Sequence, residues 1–206
     1  MIFFKVRCSI DKLLSIANLL TYRSALFSCG KKVYFGKGVK LEKPRQISIG
    51  NNVTLLQGVK IKSRNNKTTP TITLGDGVKI HESTFVDDYG GKIIIGENTG
   101  IGHFCVIAGH GGLSIGHDCM VSGCTYIIPA NHTFTKAGVL FRNQPESKKG
   151  IIIGDNVWIG AGCVILDGVV IGSNTVIGAG SIVTKNIPAN VVAYGNPARV
   201  TREINS

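Results

Sequence analysis

Few side chains in this 206-residue sequence are placed to do chemistry, and His132 leads them. It stands in Asn131-His132-Thr133-Phe134, where a regular rhythm of aliphatic residues gives way to a polar stretch, 131–150, that holds Pro145 and several charges. A histidine with an ordinary pKa near ~6.5 can take a proton from a hydroxyl at neutral pH and return it later in the same cycle. At the junction of a rigid segment and a long loop, its ring can be held from behind while facing a cleft that the loop shapes. His81, His103, His110 and His117 precede it and raise zinc as an alternative chemistry, but their spacing is a poor match to a metal-ligand pattern. Trp158 is the sole tryptophan. It falls where side chains should point outward, and an exposed indole on a rigid element is costly unless it covers a ligand or a neighbouring subunit.

The elements that must position these residues repeat every six residues. The rhythm is clearest in Ile153-Gly154-Asp155-Asn156-Val157-Trp158 and Ile159-Gly160-Ala161-Gly162-Cys163-Val164, with further units opening at Ile165, Ile171, Ile177 and Val183. This hexapeptide period is the signature of a parallel β-helix, each unit being a short strand and a turn. The repeats start near Phe35, break at 63–70, resume from Leu74, and return at Ile95, Ile101, Ile107, Ile115, Val121 and Ile127 before the 131–150 interruption. Three units close one triangular coil, so the span from Phe35 to Pro188 makes about seven coils, a stack of roughly 34 Å. The expected organisation is a non-repeating segment over 1–34, a β-helix over 35–188 with the loop 131–150, and a tail over 189–206. Ile10, Leu13, Leu14, Ala17 and Leu20 follow helical spacing, which predicts an amphipathic helix that caps the stack or lies on a membrane. The period alone does not set the hand of the coil, and parallel crossovers are ordinarily right-handed.

Composition narrows the class. Apolar residues make up 43% and charged residues 17%, enough to bury a core and too apolar for a disordered chain. The 27 glycines follow no every-third-residue period, which excludes collagen. No apolar run reaches the ~18–20 residues of a membrane span, and the first residues lack the pattern of a secretory signal, so a cytoplasmic protein is expected. The six cysteines have no CxxC spacing, and Cys105, Cys119 and Cys163 fall on repeat positions otherwise held by Val, Thr or Ser. They read as reduced core cysteines. Net charge is +11, which points to a polyanionic partner such as a phosphorylated cofactor, an acidic glycan or a membrane surface. Nucleic acid is not expected, because aromatics do not interleave with the basic residues and no groove-reading motif appears.

Taken with Asn131-His132-Thr133-Phe134, the run Ile153 to Gly160, the run Ile177-Gly178-Ala179-Gly180-Ser181-Ile182-Val183-Thr184-Lys185 and the segment Gly195-Asn196-Pro197-Ala198-Arg199-Val200, the chain resembles the left-handed β-helix acyltransferases that use coenzyme A. The galactoside and maltose O-acetyltransferases and the O-acetyltransferases of surface polysaccharides are the nearest in pattern. The resemblance implies an all-β left-handed parallel β-helix, a homotrimer, and acetyl-CoA as co-substrate with no metal. It implies that His132 deprotonates the acceptor, that the Ala161 amide receives the oxyanion, and that Trp158 flanks the pantetheine arm. Ala179 and Thr184 match positions along the coenzyme channel, and Lys185, Arg199 and Arg202 match contacts to its nucleotide end. His103, His110 and Asn131 fall where the family lines its sugar pocket, although sugar acetyltransferases tend to use Asp or Asn there. The implied reaction is transfer of acetyl to a sugar hydroxyl of a surface polysaccharide or its precursor. N-acylation of an amino sugar, acetylation of an antibiotic, and a trimeric scaffold with a decayed site remain open alternatives, as does peripheral membrane contact.

Overall fold

The computed structural model describes residues 20–204. Its strands are two to six residues long and stack into three sheets that run along the sides of a triangular prism. The first face climbs through Ser28–Cys29, Ile47–Ile49, Ile72–Leu74, Ile93–Ile95, Leu113–Ile115, Ile151–Ile153 and Val170–Ile171. The second climbs from Tyr34–Phe35 to Val176–Ile177, and the third from Lys40–Glu42 to Ile182–Val183. Neighbouring strands on each face are parallel and in register; Leu113, Ser114 and Ile115 lie opposite Ile151, Ile152 and Ile153. The chain is therefore an all-β parallel β-helix of seven coils, the architecture that the hexapeptide period and the left-handed class of acyltransferases led us to expect.

The sequence folds this way because each short strand points one or two aliphatic side chains inward and stacks them on the same position of the next coil. Ile49, Leu74, Ile95, Ile115, Ile153 and Ile171 form one such ladder, and all are buried. Small polar residues seal the corners. Thr99 Oγ1 donates to Gly116 O at 2.8 Å, Cys119 Sγ to Gly154 O at 3.1 Å, and Thr175 Oγ1 to Pro188 O at 2.9 Å. The same job, one donor to the carbonyl of the next coil, explains why Thr, Ser and Cys alternate at this repeat position. Burial pushes the thiols of Cys105, Cys119 and Cys163 up, so they stay protonated.

Two ends differ in detail from the repeat. The first strand, Ser28–Cys29, already pairs with Ser48 and Ile49, seven residues before the rhythm becomes legible, because it carries no aliphatic marker. Residues 20–23 are helical; the rest of the expected N-terminal helix lies outside the described residues. At the other end Val191–Gly195 joins the second face and turns back into Ala198–Glu203, an antiparallel hairpin that closes the stack. Among the described residues no helix is long and apolar enough to cross a membrane.

The three corners carry different loads. The first corner, between the first and second faces, and the second corner, between the second and third, turn tightly on every coil. Every long departure from the coil leaves from the third corner, where the chain returns from the third face to the first. Residues 63–70 do so between Lys62 and Thr71, and the larger excursion runs from Ile127 to Ile151.

Candidate functional site

His132 lies at the root of that larger excursion. Asn131–His132 pairs antiparallel with Glu146–Ser147, so the excursion leaves and re-enters as a two-stranded neck. Thr133 ties the neck again, its amide and hydroxyl both donating to Pro145 O at 2.9 Å. Farther out, the buried Gln144 donates to the carbonyls of Lys136 and Val139 and accepts from the Lys136 amide. The excursion is thus stapled by its own hydrogen bonds and does not depend on an apolar core. Its return is fixed by a close approach: a Cβ on Gly111 would lie 2.6 Å from the Lys148 carbonyl carbon and 2.8 Å from Gly150 N, so only glycine fits beneath it.

The neck places charged groups around the imidazole. Glu146 Oε1 is 3.6 Å from His132 Nε2, and Glu146 Oε2 is 2.7 Å from Lys148 Nζ. Hydrogen bonding and charge attraction from Lys148 hold the Glu146 carboxyl below its ordinary range, with smaller help from His132 and His110. Glu146 is therefore ionised at neutral pH. At 3.6 Å from the imidazole it is too far for a good hydrogen bond. The half-exposed ring opens into a cleft of about 300 Å³ lined by Asn131, Phe134, Ser147, Lys149, Asp167 and Thr184, among others. Asp167 braces its floor, accepting from Ser147 Oγ at 2.6 Å and from the Lys149 and Gly150 amides at 2.8 and 3.0 Å.

Of the residues singled out from the sequence, Asn131, His132 and Thr184 meet in this one cleft. His110 does not line it but lies near enough to Glu146 and Lys148 to feel their charges, and its Nδ1 is buried without a hydrogen-bond partner. Burial lowers the His110 pKa, so its ring is neutral at pH 7. The others lie elsewhere on the same chain. Trp158 is on the second face, half exposed, donating from Nε1 to Ser122 Oγ at 3.3 Å beside Met120 and His81. Ala161, Ala179 and His103 sit at the second corner, where the Gly180 amide donates to Ala161 O at 2.8 Å. Arg199 and Arg202 lie on the closing hairpin, and Lys185 follows Thr184 at the third corner. Glu146, Ser147 and Asp167 carried no local signal in the sequence. Glu146 reaches His132 only because the excursion folds back on itself. Among the described residues no group of three or more His, Cys, Asp or Glu side chains could hold a metal ion.

The sequence profile of the bacterial transferase hexapeptide (six repeats) matches residues 150–185, and that of the hexapeptide repeat of succinyl-transferase matches 92–128. A Dictyostelium discoideum protein named as an acetyltransferase is 44% identical over 130 residues, covering 62% of this chain and 67% of its own length. The chain belongs to the hexapeptide-repeat acetyltransferase family. The polysialic acid O-acetyltransferase of Escherichia coli O1:K1 / APEC is 40% identical over 131 residues, 61% of this chain and 42% of that protein. The galactoside O-acetyltransferase of Escherichia coli (strain K12) is 40% identical over 123 residues, 59% and 48%. The chain thus spans about half the length of these two relatives. Among solved structures, the polySia-specific acetyltransferase NeuO shares the fold at a TM-score of 0.50 and 26% identity, over 85% of this chain and 78% of that one. A variant of AntD, an N-acyltransferase from Bacillus cereus crystallised with dTDP-4-amino-4,6-dideoxyglucose and coenzyme A, reaches a TM-score of 0.62 at 21% identity, over 92% and 90%.

Proposed function

We propose that the protein transfers acetyl from acetyl-CoA to a sugar hydroxyl, with His132 as general base. The observation that carries this reading is the cleft in which His132 opens, beside an ionised Glu146, onto Thr184. A nitrogen of the His132 ring takes the hydroxyl proton while the freed oxygen attacks the thioester carbonyl carbon. The carbonyl oxygen gains the negative charge and is received by the Ala161 amide, a rigid donor at a coil turn. Collapse of the tetrahedral adduct breaks the carbon–sulfur bond, and the departing thiolate recovers the proton from the imidazolium. Trp158 lies against the pantetheine arm, Ala179 and Thr184 line its channel, and Lys185, Arg199 and Arg202 answer the phosphates. Asn131, His103 and His110 take the acceptor.

These residues span the second face and two corners of one prism, so one chain does not gather them all. We assign the complete site to the cleft between neighbouring copies in a homotrimer, His132 from one copy facing Trp158 of the next. The relatives named for polysialic acid and galactosides support a sugar acceptor, and a surface polysaccharide or its precursor is the acceptor we assign. AntD, crystallised with coenzyme A, shares the fold in which such a channel forms. The test is calorimetric titration of acetyl-CoA into the wild type and Trp158→Ala. Micromolar binding that weakens in the variant supports the reading. Absence of binding to the wild type overturns it.

A further inference from the structure

Charge is segregated along the prism. The first corner carries Asp76, Glu97, Asp118 and Asp155 on four successive coils, with lysines only on the first coil, at Lys31 and Lys32, and His117 between Asp118 and Asp155. The third corner carries Lys43, Arg64, Lys67, Lys92, Lys149 and Lys185, all exposed. It has acidic residues too, but each is consumed internally. Asp88 accepts from Ser63, Thr71, Asn65 and two backbone amides; Asp87 is held by Arg64 at 2.9–3.1 Å; Asp167 braces the excursion; and Glu146 pairs with Lys148. Lys43 Nζ is spent on Arg64 O, Asn65 O and Asn66 Oδ1, but among the described residues Lys67, Lys92, Lys149 and Lys185 have no carboxylate partner, so the corner presents a row of cations from the 63–70 excursion to the His132 cleft. The row is continuous with that cleft. Lys149 lines it and also lines the neighbouring cleft of about 380 Å³, whose wall includes Lys92.

A rigid platform stands between the two excursions. Tyr89 has a left-handed backbone, φ 46°, which a tyrosine rarely adopts. It is kept there by the Asp87 carboxylate, which accepts from its amide at 2.9 Å. Its ring is sandwiched between the Arg64 guanidinium, 4.2 Å from the ring centroid, and the His110 ring, stacked at 4.0 Å and 10°. Arg64 spends Nε and Nη2 on Asp87, which holds the guanidinium over the ring. Strain held by buried carboxylates at a surface aromatic is a mark of function.

We propose that the acceptor is an anionic glycan whose carboxylates lie along the third corner, read by Arg64 and the unpaired lysines as its chain leads into the His132 cleft. This rests on the acetyltransferase reading and names its substrate class. A neutral sugar would gain nothing from the row of cations. Nucleic acid and anionic membranes share the charge but have no reason to follow one corner into a general-base cleft.

The test titrates oligogalacturonate, which carries a carboxylate on every ring, into the full chain. Methyl-esterified oligogalacturonate, with the same backbone and no charge, and duplex DNA serve as comparators. Binding of the acid alone is expected, weakening with added salt. The Lys67→Gln/Lys92→Gln double variant should lose about fivefold to tenfold in affinity, as two partly screened charge contacts would give. Equal binding of acid and ester, no binding of the acid, or DNA binding as tightly as the acid overturns the proposal. Acetyl-CoA binding measured on the same sample separates the two readings. If it is intact while the acid chain shows no preference, this inference alone fails; if it is lost, the acetyltransferase reading fails.

Discussion

At the first corner the chain turns in one way on six successive coils, whereas at the third corner almost no two coils turn alike. Asn52, Gly77, Asn98, Asp118, Asn156 and Asn174 all take the left-handed conformation at the first corner, with φ between 52° and 70°. Their neighbours bond up and down the stack: Asp76 accepts from the Asn51 amide, Asp155 from the His117 amide, and Ser173 from the Asp155 amide. The third corner uses a 3-10 turn at Pro44–Gln46, the 63–70 excursion, the Asp87-Asp88-Tyr89 turn and the long neck at His132. Repetition makes a structural edge, since each coil satisfies the next. Departure from repetition makes room for a site, and each departure then needs its own polar bracing, from the buried Asp88 and Gln144 and the half-buried Asp167.

That contrast can be broken experimentally, beginning with its most specialised residue. His132→Ala should lower kcat for acetyl transfer by roughly 10²–10⁴ without shifting thermal unfolding, because the ring is exposed and packs against little. Unchanged turnover would remove His132 from the chemistry. Next in size is the bracing. Asp88→Ala removes the acceptor shared by the Ser63 and Thr71 hydroxyls and the Arg64 and Gly90 amides, so urea unfolding should show a loss of about 3 kcal/mol. Burial pushes the Asp88 carboxyl up, but the hydrogen bonds from Ser63, Thr71, Gly90 and Arg64 outweigh it and hold it below its ordinary range. Its stabilising effect is therefore present above the unfolded carboxylate pKa of ~3.9 and fades as pH falls through the lower folded value.

The first corner should respond more weakly. Asn98→Ala puts a side chain that disfavours the left-handed region at φ 56° and should cost about 1 kcal/mol, while Asn98→Gly should be close to neutral. Equal losses from both would mean that the Asn98 side chain matters more than its backbone. Smallest of all is His117. Its Nδ1 lies 2.7 Å from Asp118 and its Nε2 3.2 Å from Asp155, and hydrogen bonding to Asp118, then attraction to Asp155, raises its pKa. A raised folded pKa gives stability that is full below the unfolded value of ~6.5 and disappears as pH climbs through the folded one. The difference in Tm between wild type and His117→Gln should accordingly be present at pH 5.5 and gone by pH 9. A difference that persists at pH 9 would show that packing, and not charge, sets the role of His117.

The repeats were legible in the sequence because a β-helix is nearly one-dimensional: an inward Ile or Val every six residues is both the local signal and the global contact. The coils from Ile153 to Val183 could be counted directly for that reason. The strand at Ser28–Cys29 was hidden, since it pairs through its backbone and carries no aliphatic marker. His132 stood out by interrupting the rhythm, and Trp158 by being a lone indole at an outward position. Glu146, Asp167 and the Tyr89 stack gave no comparable signal, because their partners lie about 14 to 25 residues away across irregular turns.

The sequence by itself determined the inward ladders, the number of coils, the excess of positive charge and the histidine at the mouth of the longest interruption. These depend on residue type and period alone. Only the tertiary structure decided that every excursion leaves from one corner, that the acids there are spent on internal partners while Lys67, Lys92, Lys149 and Lys185 have no carboxylate partner, and that His132 and Trp158 lie on different sides of the prism. The physical reason is that winding brings residues about 20 apart in sequence to one edge, so the company a side chain keeps depends on which corner its turn falls on.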